Sequence, residues 1–291
     1  MIEILSGDAL KKIKLLKEKS IDCIVTSPPY WQLRDYGVAG QLGLEDTVEE
    51  YIEKLIEIFN ECWRVLKDTG TVFINMGDTY SNSKSISIRR KSKMMIPEKI
   101  AIAMIEKGWI LRNEIIWHKP NVVPEAVQDR FTNDFEKIYF FTKNEKYFFE
   151  KQYEAFAEKT LTAFKDGIMP TGKKKMLGAG ESRTGMREVN KPWKAAYNEK
   201  GRNMRTVWKI ATKGIPEAHF ATFPDELARR CILAGCPENG IVLDLFLGSG
   251  TTLKVAKQLN RSGIGIELNQ EYIQIAKKRI GNDLFNEVQI K

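Results

Sequence analysis

A glycine-rich segment between an apolar stretch and a helix start constrains the fold of this 291-residue chain more than any other feature. Residues 241–252 (IVLDLFLGSGTT) indicate a strand, a turn at Gly248-Ser249-Gly250 and the beginning of a helix. Small residues at such a turn let the backbone approach a ligand, and the helix that follows offers it free N–H groups. The segment therefore predicts an α/β protein with a ligand pocket at the carboxyl ends of its strands.

A second strand, residues 262–267, ends in Glu267, which follows Asp244 by 23 residues. An acid at that place can accept hydrogen bonds from two ribose hydroxyls. The turn before it is neither G-x-G-x-x-G nor a P-loop, because no Gly-Lys-Ser/Thr follows it. That departure weakens the case for a dinucleotide ligand.

Residues 26–31 (TSPPYW) follow another apolar stretch, residues 21–25, which predicts a short buried strand. Two prolines directly after a strand cannot extend its ladder, and they stiffen the backbone. We expect a rigid ledge carrying the Ser27 hydroxyl, carbonyls with no competing local donor, and the rings of Tyr30 and Trp31. Such a ledge suits a flat heteroaromatic ring with an exocyclic amino group. Taken alone, the hexapeptide is equally explained as a strand-ending turn with rim aromatics.

Together these segments resemble amino-group DNA methyltransferases. SPPY after a strand resembles their catalytic motif in its cytosine-N4 form, whereas adenine-N6 enzymes more often have Asp or Asn in place of the serine. DLFLGSGTT (residues 244–252) resembles their S-adenosyl-L-methionine motif, and GIELN (residues 265–269) its ribose-binding partner. The catalytic motif precedes the donor motif, which is the order of the β group, a circular permutation of one sheet.

The resemblance implies an α/β fold with a doubly wound, Rossmann-like methyltransferase sheet, circularly permuted, and an inserted basic target-recognition region. It implies methyl transfer from S-adenosyl-L-methionine to N4 of a cytosine flipped out of duplex DNA, in a restriction-modification system. Ser27 and the Pro28 carbonyl would hold the amino hydrogens on the ledge that Pro29 completes. Tyr30 would stack on the base and offset part of the unstacking cost.

The resemblance assigns the cofactor pocket to residues from both ends of the chain. They are Asp8, Phe223, Asp244, Phe246, Gly248, Gly250, Thr251 and Glu267. Asp8 and Glu267 would grip adenine and ribose, and the turn at Gly248 the methionyl end. Asp8 is equally explained as a helix N-cap, and Phe223 as a core side chain.

The basic charge of the chain is concentrated in one segment. Residues 159–213 contain 14 Lys and Arg against 4 Asp and Glu, a net of +10, so the rest of this +8 chain carries −2. Trp193, Tyr197 and Trp208 lie among these cations, which suits phosphate contacts and base stacking. We therefore expect a catalytic part at residues 1–150, a target-recognition insertion at 151–213 and a cofactor-binding part at 214–291.

Local patterns predict the remaining elements that bear on the site. Amphipathic spacing indicates helices at residues 9–19 and 47–67, and residues 138–149 indicate a hairpin. Residues 33–44 are glycine-rich and predict a mobile lid over the target base. Residues 81–93 are polar and basic, and we expect them to be disordered without DNA.

Composition excludes several classes of protein. Four cysteines without C-x-x-C spacing predict buried, reduced thiols in a cytoplasmic protein of a prokaryotic cell, and two histidines are too few for a metal site. We see no transmembrane run and no secretory signal. The expected partner is double-stranded DNA, with or without a separate cognate restriction endonuclease, and the protein would be a monomer or a homodimer.

Other functions remain open from the sequence. The nearest is an adenine-N6 DNA methyltransferase, since the ledge accepts any ring that carries an amine. An RNA or protein-amide methyltransferase, a non-catalytic nucleic-acid-binding module and a nicotinamide oxidoreductase are more distant. A cytosine-C5 enzyme is disfavoured, because Cys236-Pro237 has the reverse order of a Pro-Cys nucleophile.

Overall fold

The computed structural model describes residues 1–82, 88–158, 161, 198–212, 223–281 and 288–290. These residues form two compact units, Met1–Glu150 with Thr206–Lys291, and Lys151–Arg205. The strands are β1 (Ile2–Ser6), β2 (Ile21–Thr26), β3 (Leu66–Met76), β4 (Ile110–His118), β5 (Phe135–Thr142), β6 (Tyr153–Glu154), β7 (Arg202–Asn203), β8 (Val207–Lys209), β9 (Ile241–Asp244), β10 (Ser262–Glu267) and β11 (Val288–Ile290). The helices are α1 (Ala9–Ile13), α2 (Val48–Val65), α3 (Ile96–Glu106), α4 (Asp225–Gly235), α5 (Thr251–Gln258) and α6 (Gln270–Ile280).

The larger unit is built on one sheet with the strand order β11-β1-β10-β9-β2-β3-β5-β4-β8. Every neighbouring pair is parallel except the two that involve β5. Parallel sheets are covered by helices on both faces, so their central strands are buried on both sides. All six residues of β2 are buried accordingly. The predicted doubly wound α/β class is confirmed.

The two ends of the chain meet inside this sheet. β1 lies between β10 and β11, and β2 pairs with β9 through Cys23 opposite Val242 and Ile24 opposite Leu243. Strands from the two ends are therefore interleaved in one sheet, as a circular permutation predicts. Because β2 and β9 are parallel, the ledge after β2 and the glycine turn after β9 emerge at the same edge.

Helix α2 shows how local sequence and packing combine. The Thr47 hydroxyl accepts the Glu50 N–H at 3.2 Å and caps the helix. The helix ends earlier than predicted, because buried Leu66 is already extended and pairs with Ile21 as the first residue of β3. Residues 66 and 67, the last two of the predicted helix, lie within that strand.

Two further local predictions are wrong. Helix α1 ends at Ile13 rather than near residue 19. The Arg64 guanidinium donates hydrogen bonds to the carbonyls of Ile13 and Leu16, at 3.0 and 2.9 Å, at and beyond the end of the helix. Residues 147–149 form no hairpin strand, since β5 already pairs with β3 and β4. The rings of Tyr147 and Phe149 instead pack on Phe140, each 5.8 Å between centroids.

Part of the predicted insertion belongs to the sheet. Strand β8 falls within residues 151–213, yet it pairs with β4 and places Trp208 opposite Trp117. Trp208 is 7% exposed, so the prediction that it stacks on nucleic acid is wrong. Trp193 and Tyr197 lie outside the described residues.

The smaller unit contains an antiparallel pair, β6 with β7. The carboxylate of Glu154 accepts from the guanidinium groups of Arg202 and Arg205 at 2.8 and 2.6 Å. These ion pairs connect the two ends of the segment, 48 and 51 residues apart.

The polar segment at residues 81–93 is only partly described, since 83–87 lie outside the described residues. Its ends are ordered. Tyr80 forms an isolated antiparallel β-bridge with Lys93, and the Ser81 N–H donates to the Ser92 carbonyl at 2.8 Å. The expectation of disorder is wrong for these ends.

All four cysteines are free and buried, as predicted. Burial raises the pKa of Cys236 to about 12 and raises the pKa of the other three thiols as well. In the described ranges, no helix is long and apolar enough to cross a membrane, and no group of three or more His, Cys, Asp or Glu could hold a metal ion.

The close approach of α4 to β3 yields a test of the packing. A Cβ on Gly235 would lie 2.3 Å from Thr71 Oγ1 and 2.6 Å from Phe73 Cε2. We expect Gly235→Ala to lower the free energy of unfolding by about 1–3 kcal/mol in urea titrations, as overpacking does. The control Glu106→Ala, at an exposed position, should change it by less than about 0.5 kcal/mol. Equal effects would contradict the close packing.

Candidate active site

A cavity of about 430 Å³ opens beside the ends of β2, β9 and β10. Its size is typical of small-molecule sites. Ten of the twelve residues assigned from the sequence line it: Asp8, Ser27, Pro28, Pro29, Tyr30, Phe223, Phe246, Gly248, Thr251 and Glu267. The structure thus brings the ledge and the glycine turn to one cavity.

Asp244 does not line the cavity but lies beneath it, 1% exposed. One carboxylate oxygen accepts from the Thr26 hydroxyl at 2.7 Å and the Phe246 N–H at 3.2 Å, and the other accepts from the Thr252 hydroxyl at 2.6 Å. Burial raises the pKa of Asp244 to about 6. The prediction that Asp244 contacts the cofactor is therefore replaced by a structural role, in which its carboxylate joins β2 to the first turn of α5.

Gly250 is the second assigned residue that lies off the cavity. It precedes α5 with φ +85°, and a Cβ there would come within 2.9 Å of the Ala276 Cβ. Gly250 is thus needed for the turn and for the packing of α5 on α6. Gly248, with φ +53°, lines the cavity, and apart from its chain neighbours no atom of the described residues comes closer than 4.0 Å to where its Cβ would be. A ligand can therefore approach the backbone at Gly248.

Glu267 connects the glycine turn to the end of β10. Its two carboxylate oxygens accept from the Gly248 N–H at 2.7 Å and the Asn269 N–H at 2.8 Å. Burial raises its pKa. Each oxygen of a carboxylate can accept more than one hydrogen bond, so Glu267 retains acceptor capacity toward hydroxyls in the cavity. The residues on this side therefore fit a ligand that carries a ribose.

Asp8 and Phe223 each had two interpretations. The Asp8 carboxylate accepts the Lys11 N–H at 2.9 Å and caps α1, and the same residue lines the cavity. Capping is confirmed, and contact with a ligand is geometrically compatible with it. Phe223 is half-buried on the cavity wall rather than enclosed in the core.

The ledge after β2 differs from its prediction in two ways. The Pro29 carbonyl accepts from the Tyr51 hydroxyl at 2.6 Å, so it is not open to a ligand. Trp31 is 7% exposed and its indole N–H donates to the Glu45 carbonyl at 3.0 Å, so its ring supports the ledge from inside. Among the described residues no donor contacts the Pro28 carbonyl, which leaves it and Ser27 as the polar groups of the ledge.

Tyr30 is fixed by contacts on its hydroxyl and on its ring. The hydroxyl donates to Glu136 Oε2 at 2.7 Å and accepts from Asn75 Nδ2 at 2.9 Å. The ring lies on Gly77, where a Cβ would come within 2.6 Å of it. Burial raises the pKa of Tyr30 well above its usual value, so the hydroxyl stays neutral and keeps its donor.

Four residues on this wall were missed by the sequence analysis. They are Asn75, Trp117, Lys119 and Glu136. Asn75 lies near the end of β3 and Lys119 directly after β4, so the rule that ligands bind at the carboxyl ends of parallel strands could have found them. Glu136 could not be found in this way, because it reaches the same edge from the beginning of the antiparallel strand β5.

The glycine-rich residues 33–44 border the cavity, as their position beside the ledge suggested. The Gln32 N–H donates to the Gly43 carbonyl at 2.6 Å and closes the base of this loop. The ring of Tyr36 packs edge-on against Tyr272 of α6, 6.3 Å between centroids. That the loop moves as a lid stays a prediction.

Comparison with protein families gives a match over most of the chain. A family model described as DNA methylase, of the N6/N4 class, matches residues 21–278. The chain is 38% identical to the type II methyltransferase M.SmaI of Serratia marcescens, over 96% of this chain and 90% of that protein. It is 37% identical to the type II methyltransferase M.Cfr9I of Citrobacter freundii, over 99% of this chain and 90% of that protein.

Solved structures share the fold. The cytosine-N4-specific PvuII DNA methyltransferase superposes with a TM-score of 0.66 at 19% identity, over 97% of this chain and 87% of that one. M1.HpyAVI in complex with SAM superposes with a TM-score of 0.58 at 21% identity, over 97% of this chain and all of that one. At these identities the likeness concerns the fold.

The buried carboxylate beneath the cavity predicts a pH dependence of stability. The folded-state pKa of Asp244, about 6, exceeds the value of about 3.9 expected in the unfolded chain, so the folded state binds the proton more strongly. The contribution of Asp244 to the free energy of unfolding should therefore fall as the pH rises from about 4 to about 6.

Asp244→Asn removes this titration. Compared with the wild type by urea unfolding at pH 4.5 and pH 7, the variant should gain on the order of 1 kcal/mol or more in relative stability at the higher pH. Glu267 titrates in both proteins, and burial rather than the Asp244 charge is the main cause of its raised pKa, so most of its share cancels in the difference. A difference that does not change with pH would contradict the burial of a titrating carboxylate at this position.

Proposed function

This chain belongs to the N6/N4 DNA methylase family, and we propose that it methylates the exocyclic N4 of a cytosine flipped out of duplex DNA. It is a DNA methyltransferase, and S-adenosyl-L-methionine is its cofactor. The observation that carries the cytosine assignment is Ser27, which stands at the ledge position where the SPPY motif resembles the cytosine-N4 type, and which faces the same cavity as Gly248.

The cofactor supplies an electrophilic methyl group on a sulfonium sulfur. On its side of the cavity, Glu267 would accept hydrogen bonds from the ribose hydroxyls with the lone pairs that Gly248 and Asn269 leave open. Asp8 would face the adenine, and the rings of Phe223 and Phe246 give this side an apolar lining that excludes water. The open backbone at Gly248 and Thr251 would meet the methionyl end.

On the target side, Ser27 and the Pro28 carbonyl orient the amine. The lone pair of an exocyclic amine is delocalised into the ring and becomes nucleophilic only as the nitrogen pyramidalises. Two acceptors placed on the amino hydrogens favour that geometry and bind the transition state more tightly than the planar ground state. The Tyr51 hydroxyl, by holding the Pro29 carbonyl at 2.6 Å, keeps the ledge in place.

Tyr30 would stack on the extruded base with the ring face that Gly77 does not cover. Its hydroxyl is held by Glu136 and Asn75, so the ring is oriented before the base arrives. A fixed aromatic surface offsets part of the cost of unstacking and requires little ordering on binding.

We further propose the setting in which this activity works. The type II names of the relatives M.SmaI and M.Cfr9I support a restriction-modification system with a separately acting endonuclease. The basic residues 159–213 would contact the DNA phosphates. With DNA as substrate, the enzyme would act in the prokaryotic cytoplasm, as a monomer or a homodimer.

Mass spectrometry of nucleosides tests the proposal. DNA treated with purified protein and isotopically labelled cofactor should yield labelled N4-methylcytosine. Labelled N6-methyladenine would show that the target base is adenine, and the protein would still be a DNA methyltransferase that acts on an exocyclic amine. Cofactor binding with no label in the DNA would support a non-catalytic module instead.

Ser27→Ala tests the ledge. Removing one acceptor that acts in the transition state should lower kcat by on the order of 10²-fold and leave cofactor affinity within about twofold, since Ser27 lies on the target side. Ser20→Ala is the matched control: Ser20 precedes β2 at its other end, and its hydroxyl donates to the Lys17 carbonyl at 2.6 Å. Full activity of Ser27→Ala would refute the role of the hydroxyl.

Glu267→Ala tests the ribose contact. Loss of hydrogen bonds to a charged group should raise the dissociation constant of S-adenosylhomocysteine roughly tenfold or more in calorimetric titrations. Glu267→Gln, which keeps one acceptor, should lie between this variant and the wild type. Glu271→Ala, exposed in the first turn of α6, should bind as the wild type does. An unchanged constant for Glu267→Ala would exclude the contact.

A further inference from the structure

An ion pair lies in the target-side wall of the cavity. Lys119 Nζ contacts Glu136 Oε1, and the two side chains are only 18% and 15% exposed. The ammonium also lies over the Trp117 ring, 4.6 Å from its centroid. The free energy lost in desolvating two buried charges is about as large as the free energy gained from their attraction. A contribution to stability therefore does not account for this pair.

The two members of the pair present different groups to the cavity. Glu136 Oε2 is occupied by the Tyr30 hydroxyl at 2.7 Å and by Asn75 Nδ2 at 2.7 Å, and its Oε1 by Lys119. The ammonium has three N–H donors. Within the described chain the acceptor in contact with the Lys119 ammonium is the Glu136 carboxylate, and the Trp117 ring covers one side of the ammonium. What the pair offers to a ligand is therefore a charged donor.

This donor belongs to the same wall as the ledge. Asn75 Nδ2, which contacts Glu136, also lies 3.5 Å from Ser27 Oγ. The Asn75 side chain thus connects the acceptor at Ser27 to the donor at Lys119 through one chain of polar contacts. The wall presents an acceptor and then a donor to whatever ring occupies it.

We propose that Lys119 Nζ donates a hydrogen bond to the ring nitrogen next to the target amine, N3 of cytosine, and so selects amino bases against oxo bases. This inference rests on the proposed function. In cytosine an amine, which donates, stands beside N3, which accepts. That pattern is complementary to the acceptor and the donor of the wall.

The same wall rejects an oxo base at two places. Thymine, or the uracil formed when cytosine is deaminated, has a carbonyl in place of the amine and an N3–H in place of the acceptor. The carbonyl would face the Pro28 carbonyl, and the N3–H would face the ammonium of Lys119. Unpaired polar groups in a closed site are what reject a wrong substrate most strongly. Glu136 is a positioning residue here: it balances the charge of Lys119 and holds Tyr30.

The test compares two DNA duplexes that differ at the target base, once single-molecule sequencing of methylated DNA has identified the recognition site. One carries cytosine and the other 3-deazacytosine, which keeps the amine and replaces N3 by a C–H group. The measured quantity is the ratio of kcat/KM on cytosine to kcat/KM on the analogue. In Lys119→Met this ratio should be smaller than in the wild type by roughly tenfold or more, because only the wild type has the donor that N3 engages.

Lys137→Met is the matched control. Lys137 is also 18% exposed and contacts two carboxylates, those of Glu98 and Glu114, but it does not line the cavity. This variant should keep the wild-type ratio. Because the intrinsic reactivity of the analogue is the same for every protein, the comparison of ratios isolates the coupling between Lys119 and N3.

A second variant guards against misfolding. Lys119→Met combined with Glu136→Gln restores the charge balance, and it should show the same reduced ratio, with far-ultraviolet circular dichroism and S-adenosylhomocysteine binding like the wild type. Equal ratios in the wild type and in both Lys119 variants would overturn the inference while cytosine methylation stands. If the protein methylates adenine, the proposed function fails. The ratio of kcat/KM on adenine to kcat/KM on 1-deazaadenine, compared between the wild type and Lys119→Met, then tests the role of Lys119 independently.

Discussion

The carboxylate of Asp244, held between Thr26 and Thr252, is the contact on which the rest of the structure depends. A buried carboxylate is strongly destabilising unless donors surround it. Here the donors come from both ends of the chain, 218 residues apart for Thr26. Satisfying that charge requires β2 and β9 to lie side by side. The residues that follow, Ser27 after β2 and the glycine turn after β9, then have to meet at one edge.

From that edge the cavity acquires two sides with different chemistry. On one side Glu267 and Gly248 form a rigid corner that suits a ribose. On the other, Ser27 and the Pro28 carbonyl present acceptors, and Lys119 presents a donor balanced by Glu136. A methyl donor and an amino-bearing ring need opposite surroundings, and the sheet brings both kinds of surroundings to one space of about 430 Å³. The chemistry of a DNA amino-methyltransferase follows from this arrangement.

The sequence is informative where a signal is local. The strands at 21–26, 241–244 and 262–267 can be predicted because each is an apolar run that ends in a small or acidic residue. It is misleading where burial depends on distant pairing. Trp208 lies among cations in the sequence, yet its pairing opposite Trp117 buries it. Asp244 belongs to a recognisable motif, but only the neighbouring β2 reveals that the carboxylate faces Thr26. No pattern in the sequence indicates that Glu136 lines the cavity, because its strand β5 is antiparallel to its neighbours and brings its beginning, not its end, to this edge.

The most direct test of this shared cavity is a crystal structure with a bisubstrate ligand, in which a 5′-amino-5′-deoxyadenosine is joined through a short linker to N4 of cytosine. We predict that the adenosine ribose contacts Glu267 and that the cytosine lies in the same cavity with N4 within hydrogen-bond distance of Ser27. An adenosine bound at Glu267 with its cytosine directed out of the cavity, away from the ledge, would contradict this prediction.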